Sequence, residues 1–269
     1  MIAPSFFVIL LEIINKQMNK VFHSILLLVL IISSCTTHYE VVSLNLHKIV
    51  IDTTYEKPVD PVAAAFISPY KKSVDSLVGP VVGHTAHSMV SKRPESDLSN
   101  LLSDILIWSG RYYNEKPDFA VYNMGGIRAS LSKGTITYGD ILEVSPFENK
   151  VCFFDISGKK VKELFKQIAL NRGEGVSHGV ELVINKDGEL LSAKLNGKEI
   201  NENSTYRVVS IDYLAQGNDG LLAFKDKTNV NSPIEKEDNL RFIIINYFKE
   251  KEKIGELVES KIEGRITVK

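Results

Sequence analysis

This chain carries no excess charge of either sign. Lys plus Arg number 32 and Asp plus Glu 33, a formal net charge of −1 over 269 residues. A balanced surface has no field to draw in nucleic acid or an acidic membrane. No basic run is interleaved with aromatics, which argues against a nucleic-acid binder. Cysteine is almost missing, with only Cys35 and Cys152 present. Metal sites built on thiolates need clusters of cysteines, and none exists. Long apolar runs are scarce as well. Residues 21–32 are long enough for the core of a signal peptide but short for a membrane span. There is no sustained repeat and no internal linker.

What is present begins with that leader. Lys16 to Lys20 form a short basic stretch, the apolar run follows, and Ile32-Ser33-Ser34-Cys35 closes it. This series resembles the bacterial lipoprotein box. The resemblance implies cleavage before Cys35 and lipid on its sulfur and new N-terminus, hence an extracytoplasmic, membrane-anchored protein, periplasmic or at the cell surface. Met18-Asn19-Lys20 alone makes a sound start, so residues before Met18 read as an over-extended one. The expected division is a signal peptide over 1–35, a polar tether over 36–48 and one domain over 49–269. With Cys35 lipidated, Cys152 is left without a disulfide partner. Its place in the apolar run 151–154 makes it a small buried hydrophobe.

The rest of the chain alternates between two periodicities. Helical spacing predicts helices over 62–77, 95–110, 159–170 and 240–248, with a short one starting near 139. In the second of these, Leu98, Leu101, Leu102, Ile105 and Leu106 share a face. Strands are expected over 49–54, 80–85, 119–122, 135–138, 151–156, 180–185, 189–195, 206–211 and 265–268. Lys186-Asp187-Gly188 and Asn196-Gly197 are strong turns between strands. The class is therefore mixed α and β.

The most informative stretch runs from 119 to 150. A short buried strand leads into Asn123-Met124-Gly125-Gly126. Two adjacent glycines permit positive φ angles and close approach of a ligand. Arg128 can grip a carboxylate, phosphate or sugar oxygen with two donors. Pro146 stiffens the backbone beside Phe147, which offers an aromatic face. The set fits a planar, hydroxylated or anionic small molecule. From the residues alone, a βαβ corner with a surface arginine and a core phenylalanine fits better, because such pieces recur widely.

Read together, the motifs say more. Asn123 to Arg128 is followed in order by Pro146-Phe147-Glu148-Asn149, Ser157-Gly158-Lys159 ahead of a helix, and Tyr206-Arg207-Val208-Val209. Tyr213-Leu214-Ala215-Gln216-Gly217-Asn218-Asp219-Gly220 closes the series. It resembles the C-terminal domain of the 5′-nucleotidase family, the group of periplasmic UDP-sugar hydrolase and ecto-5′-nucleotidase. Glu95 with Asn100-Leu101-Leu102-Ser103-Asp104 resembles that domain's first helix. The resemblance covers about residues 49–268 and implies an α/β unit of layered sheets and helices that holds the nucleoside part of a substrate. Carried over, Phe147 and Tyr213 sandwich the base, with Tyr213 standing where the family usually has Phe. Asp219 accepts from ribose hydroxyls, Arg128 reaches ribose or phosphate oxygens, and Asn123 bonds near the base. Gly125 and Gly126 form the binding turn. Arg93, or Lys92 beside it, lies near a further family arginine. Asn218 replaces a family Gly, and Asn also tolerates left-handed geometry. On local grounds Phe147 and Tyr213 also suit plain packing roles, and Asp219 an Asx turn.

That family's chemistry lies in another domain, which holds two metals and activates water. This sequence has no Asp-x-His start and no Gly-Asn-His-Glu/Asp motif. Gly83-His84-Thr85-Ala86-His87 has one residue too many for the family's Gly-His-x-His metal motif. His178 reads as structural. The expectation is thus no catalytic residue and no cofactor on this chain, with divalent metals on a separately encoded metallophosphoesterase partner. The alternative is a stand-alone nucleoside-binding lipoprotein.

Overall fold

The computed structural model describes residues 12, 14–20, 22–24, 39–44 and 60–269, in two compact units, residues 1–59 and 60–269. In the first, residues 14–20 and 22–24 are helical and 39–44 irregular. Cys35, most of the apolar stretch 21–32 and the strand expected over 49–54 lie outside the described residues. No described helix is long and apolar enough to cross a membrane.

The second unit opens with α1 (Pro61–Val78). Asp60 caps it, its Oδ1 accepting from the Val62 and Ala63 amides, and Pro61 fits the first turn where no amide partner is needed. The helix runs through Pro69 and buries none of its residues. Strand β1 (Val81–Thr85) pairs antiparallel with β3 (Gly134–Thr137). Helix α2 (Asp97–Ser109) starts from a Ser96–Ser99 capping box and buries the five apolar residues expected to share its face. After β3, α3 (Tyr138–Val144) is capped by Thr137.

The central sheet has five strands in the order β10-β4-β9-β2-β5. These are β2 (Phe119–Tyr122), β4 (Val151–Ser157), β5 (Gly175–Val176), β9 (Thr205–Ile211) and β10 (Thr228–Asn231). Both short outer strands escape a search for periodicity. A second sheet, β11-β6-β7-β8, comprises β6 (Val180–Ile184), β7 (Leu190–Leu195), β8 (Lys198–Glu199) and β11 (Ile266–Val268). Asn196 and Gly197 join β7 to β8 with φ of +52° and +73°, the positive pair that a two-residue hairpin demands. Helix α4 (Gly158–Leu170) packs on both sheets, while α2 and α6 (Leu240–Lys253) pack on each other. Cys152 is buried in β4, as a small hydrophobe.

The start of α4 shows how close the layers lie. Ser157 caps it, and the Gly158 amide bonds the Ser204 carbonyl. A Cβ at Gly158 would stand 1.9 Å from the Asn201 carbonyl oxygen, with backbone on that side. Gly158→Ala is expected to cost about 2–3 kcal/mol, read as a lower urea midpoint at unchanged slope. An unchanged midpoint would mean that the 201–204 loop yields freely.

Candidate functional site

Sheet topology gathers the site. Strands β2 and β9 are parallel neighbours, so their C-terminal ends emerge side by side. Asn123 follows β2, and Tyr213 lies on α5 (Asp212–Ala215), which follows β9. Strand β4 runs antiparallel to β9 with Val151 opposite Ile211, so the loop before it, carrying Phe147 and Asn149, reaches the same end. There Asn123, Gly125, Phe147, Asn149, Tyr213 and Asp219 line a cleft of about 240 Å³.

The glycine turn works differently from the expectation. Met124–Gly126 form one 3₁₀ turn, and neither Gly125 nor Gly126 has positive φ. Gly126 is required by proximity instead: a Cβ there would lie 2.6 Å from Asn123 Oδ1 and 3.0 Å from the Tyr122 hydroxyl oxygen. It packs beneath the turn and does not line the cleft. Gly125 is exposed and faces the cleft. Burial pushes the Tyr122 phenol up to about 12, so it stays protonated.

Asp219 has φ of +53° between Gly217 at +85° and Gly220 at +77°. The left-handed residue of this loop is therefore Asp219, not Asn218, whose Nδ2 donates to the Tyr213 carbonyl. Asp219 Oδ2 accepts from Asn123 Nδ2 at 2.7 Å, and Oδ1 accepts from the Tyr213 hydroxyl at 2.9 Å. That carboxylate holds the Tyr213 phenol above its ordinary value. Both walls of the cleft thus meet on one acidic side chain.

Arg128 stands beside the lining residues. Its Nη1 donates to the Gly125 carbonyl at 3.3 Å, and its guanidinium carbon lies 6.0 Å from the centre of the Phe147 ring. Arg93 is placed elsewhere. Its guanidinium donates to Glu174 Oε1 and to the Asn171 carbonyl, and it lines a separate hollow with Arg172 and Lys186. His84 lies 2.9 Å from Glu252, His87 lies 3.8 Å from Asp97, and exposed His178 bonds Glu263. Among the described residues, no three His, Cys, Asp or Glu side chains are grouped to hold a metal ion.

Sequence reasoning missed the groups that fix the cleft from behind. Arg241, on α6, donates to the carbonyls of Ser145, Pro146 and Phe147 and so holds the phenylalanine loop. Asn149 lines the cleft and stood within the Pro146-Phe147-Glu148-Asn149 motif, the one signal that pointed to it. Glu174 and Asn171 carry no local signal at all.

A family model described as the 5′-nucleotidase C-terminal domain matches residues 81–226. The chain belongs to this family. The chain is 30% identical over 199 residues to Protein UshA of Yersinia enterocolitica, covering 68% of this chain and 35% of that protein. It is 29% identical to the trifunctional nucleotide phosphoesterase YfkN of Bacillus subtilis, covering 82% of this chain and 16% of YfkN. The solved 5′-nucleotidase precursor of Thermus thermophilus superposes with a TM-score of 0.67 at 27% identity, covering 78% of this chain and 44% of that one. The chain therefore spans less than half the length of each of these relatives. The α/β architecture expected from the sequence is that of a 5′-nucleotidase C-terminal-like fold.

Proposed function

We propose that this chain is the nucleotide-recognition domain of a 5′-nucleotidase-type hydrolase. The observation that carries the reading is the cleft, where two aromatic side chains, an amide and a carboxylate converge in a domain of this family. Phe147 and Tyr213 offer flat faces to a base. Asp219 accepts from ribose hydroxyls, Asn123 fixes its carboxylate, and Arg128 reaches ribose or phosphate oxygens. Gly125 lets the ligand approach the backbone. Hydrolysis is supplied by a separately encoded metallophosphoesterase that holds the divalent metals. The leader and Cys35 support lipid anchoring outside the cytoplasm, in nucleotide breakdown there.

The test is calorimetric titration of the purified chain with adenosine and AMP, alongside a search for a co-purifying phosphoesterase. Saturable binding with such a partner supports the reading. Binding without one favours a stand-alone nucleoside-binding lipoprotein. Neither binding nor partner would overturn both.

Tyr213 brings a specific expectation. Its hydroxyl already occupies Asp219 Oδ1, and a ribose hydroxyl must displace or share that bond. Tyr213→Phe should tighten adenosine binding by about 3- to 10-fold, the worth of one net hydrogen bond. Binding of a 2′,3′-dideoxynucleoside should not gain. An equal gain for both ligands would place the ribose away from Asp219.

A further inference from the structure

We infer that Glu174 is a positioning residue that braces both polar rims of the nucleoside cleft from behind. The inference rests on the proposed reading of the cleft for its ligand only. Strand β5 pairs antiparallel with β2, Tyr122 opposite Gly175, so the residue before β5 comes to lie behind the residues after β2. Gly173, at φ of +106°, lets the chain pass against Pro94, where a Cβ would meet the Pro94 oxygen at 2.2 Å. Glu174 is thereby turned inward and is 2% exposed.

Its two oxygens serve different segments. Oε2 accepts from the Met124 amide at 2.6 Å and fixes the turn that carries Asn123 and Gly125. Oε1 accepts from Asn171 Nδ2 at 3.1 Å and from Arg93 Nη2 at 2.9 Å. Asn171 Nδ2 also donates to the Asp219 carbonyl at 2.8 Å, reaching the opposite rim with its second hydrogen. Arg93 supplies the opposite charge that a buried carboxylate needs. Burial pushes the Glu174 carboxyl up, while Met124, Arg93 and Asn171 pull it back. All these partners are donors, so only a side chain with two acceptor oxygens satisfies both rims. Glutamine has one, and its amide nitrogen must face a donor on one side or the other.

The test is Glu174→Gln in the full chain, read by amide NMR without ligand and by adenosine calorimetry. The Met124 and Gly220 amide resonances should both move while core methyl resonances stay, and adenosine affinity should fall at least tenfold. Asn171→Ala, a milder change, should move Gly220, leave Met124 in place and weaken adenosine about threefold. An unmoved Gly220 amide in Asn171→Ala, or full affinity in a folded Glu174→Gln protein, would overturn the brace. If Glu174→Gln does not fold, the Asn171→Ala spectra decide. If the parent binds no adenosine, the proposed function fails, and the ligand-free spectra still decide the brace.

Discussion

Adenosine binding should fall roughly 100-fold or more in the Phe147→Ala, Tyr213→Ala double variant, with the unfolding temperature unchanged. Stacking on an aromatic face is worth about 1–3 kcal/mol per base, and removing two faces forfeits at least the sum of two modest contributions. The side chains are 46% and 38% exposed, so truncation leaves no buried cavity and fold stability is not at stake. The loop bearing Phe147 is held through its carbonyls by Arg241, and that grip does not depend on the ring. Tyr213→Ala also frees Asp219 Oδ1, which returns a little of the loss to ribose recognition. A double variant that binds within threefold of the parent would remove both aromatics from the ligand and leave Asn123, Asn149 and Asp219 as a purely polar site.

The elements that carry strong periodicity were readable from the sequence because one buried face dictates them. Helix α2 shows this in its five leucines and isoleucines, and β2 in an apolar run buried throughout. The motif residues Asn123, Phe147, Tyr213 and Asp219 came together as a set only through the resemblance of their ordered motifs to the family, since each alone also suits a packing or turn role; the fold brings them to one cleft. Arg93 illustrates what was not. It lies near where the family has a further arginine, but a buried carboxylate brought from position 174 takes its guanidinium. The glycines illustrate the same limit. A Gly-Gly pair announces an unusual backbone requirement without saying whether it is positive φ or close packing, and at Gly126 it is the side chains of Tyr122 and Asn123 that decide. Strand β10 has no apolar alternation to read, since polar side chains fasten it to the sheet.

That fastening sets the second large effect. Arg207, on β9, donates from Nε and Nη2 to the two oxygens of Glu115 at 2.8 and 2.6 Å, and from Nη1 to Asp155 at 3.1 Å. The same Nη1 donates to the Asn229 carbonyl on β10, while Asn229 and Asn231 donate to Asp155 and Glu115. One guanidinium thus joins three strands and the chain before β2. Arg207→Met leaves two largely buried carboxylates without their cation, and should destabilise the domain by about 3 kcal/mol, at the low end for breaking a buried pair. The Glu115 carboxyl is held below its ordinary value by Arg207 first. A carboxyl lowered in the folded state contributes stability above its unfolded pKa and loses it as pH falls through the folded one. The gap between parent and variant should therefore be widest near pH 7 and narrow as the pH drops below about 4. Amides of β10 should exchange faster in the variant, since this edge strand loses its anchor. Adenosine affinity, measured well below the unfolding temperature, should stay within twofold, because Arg207 lies toward the start of β9 and Tyr213 follows its end. A variant that is stable yet binds poorly would mean that the sheet transmits strain from one end to the other, and would make the cleft depend on the β10 edge. The opposite pattern keeps the two ends of β9 separate, one holding the sheet together and the other presenting the aromatic face.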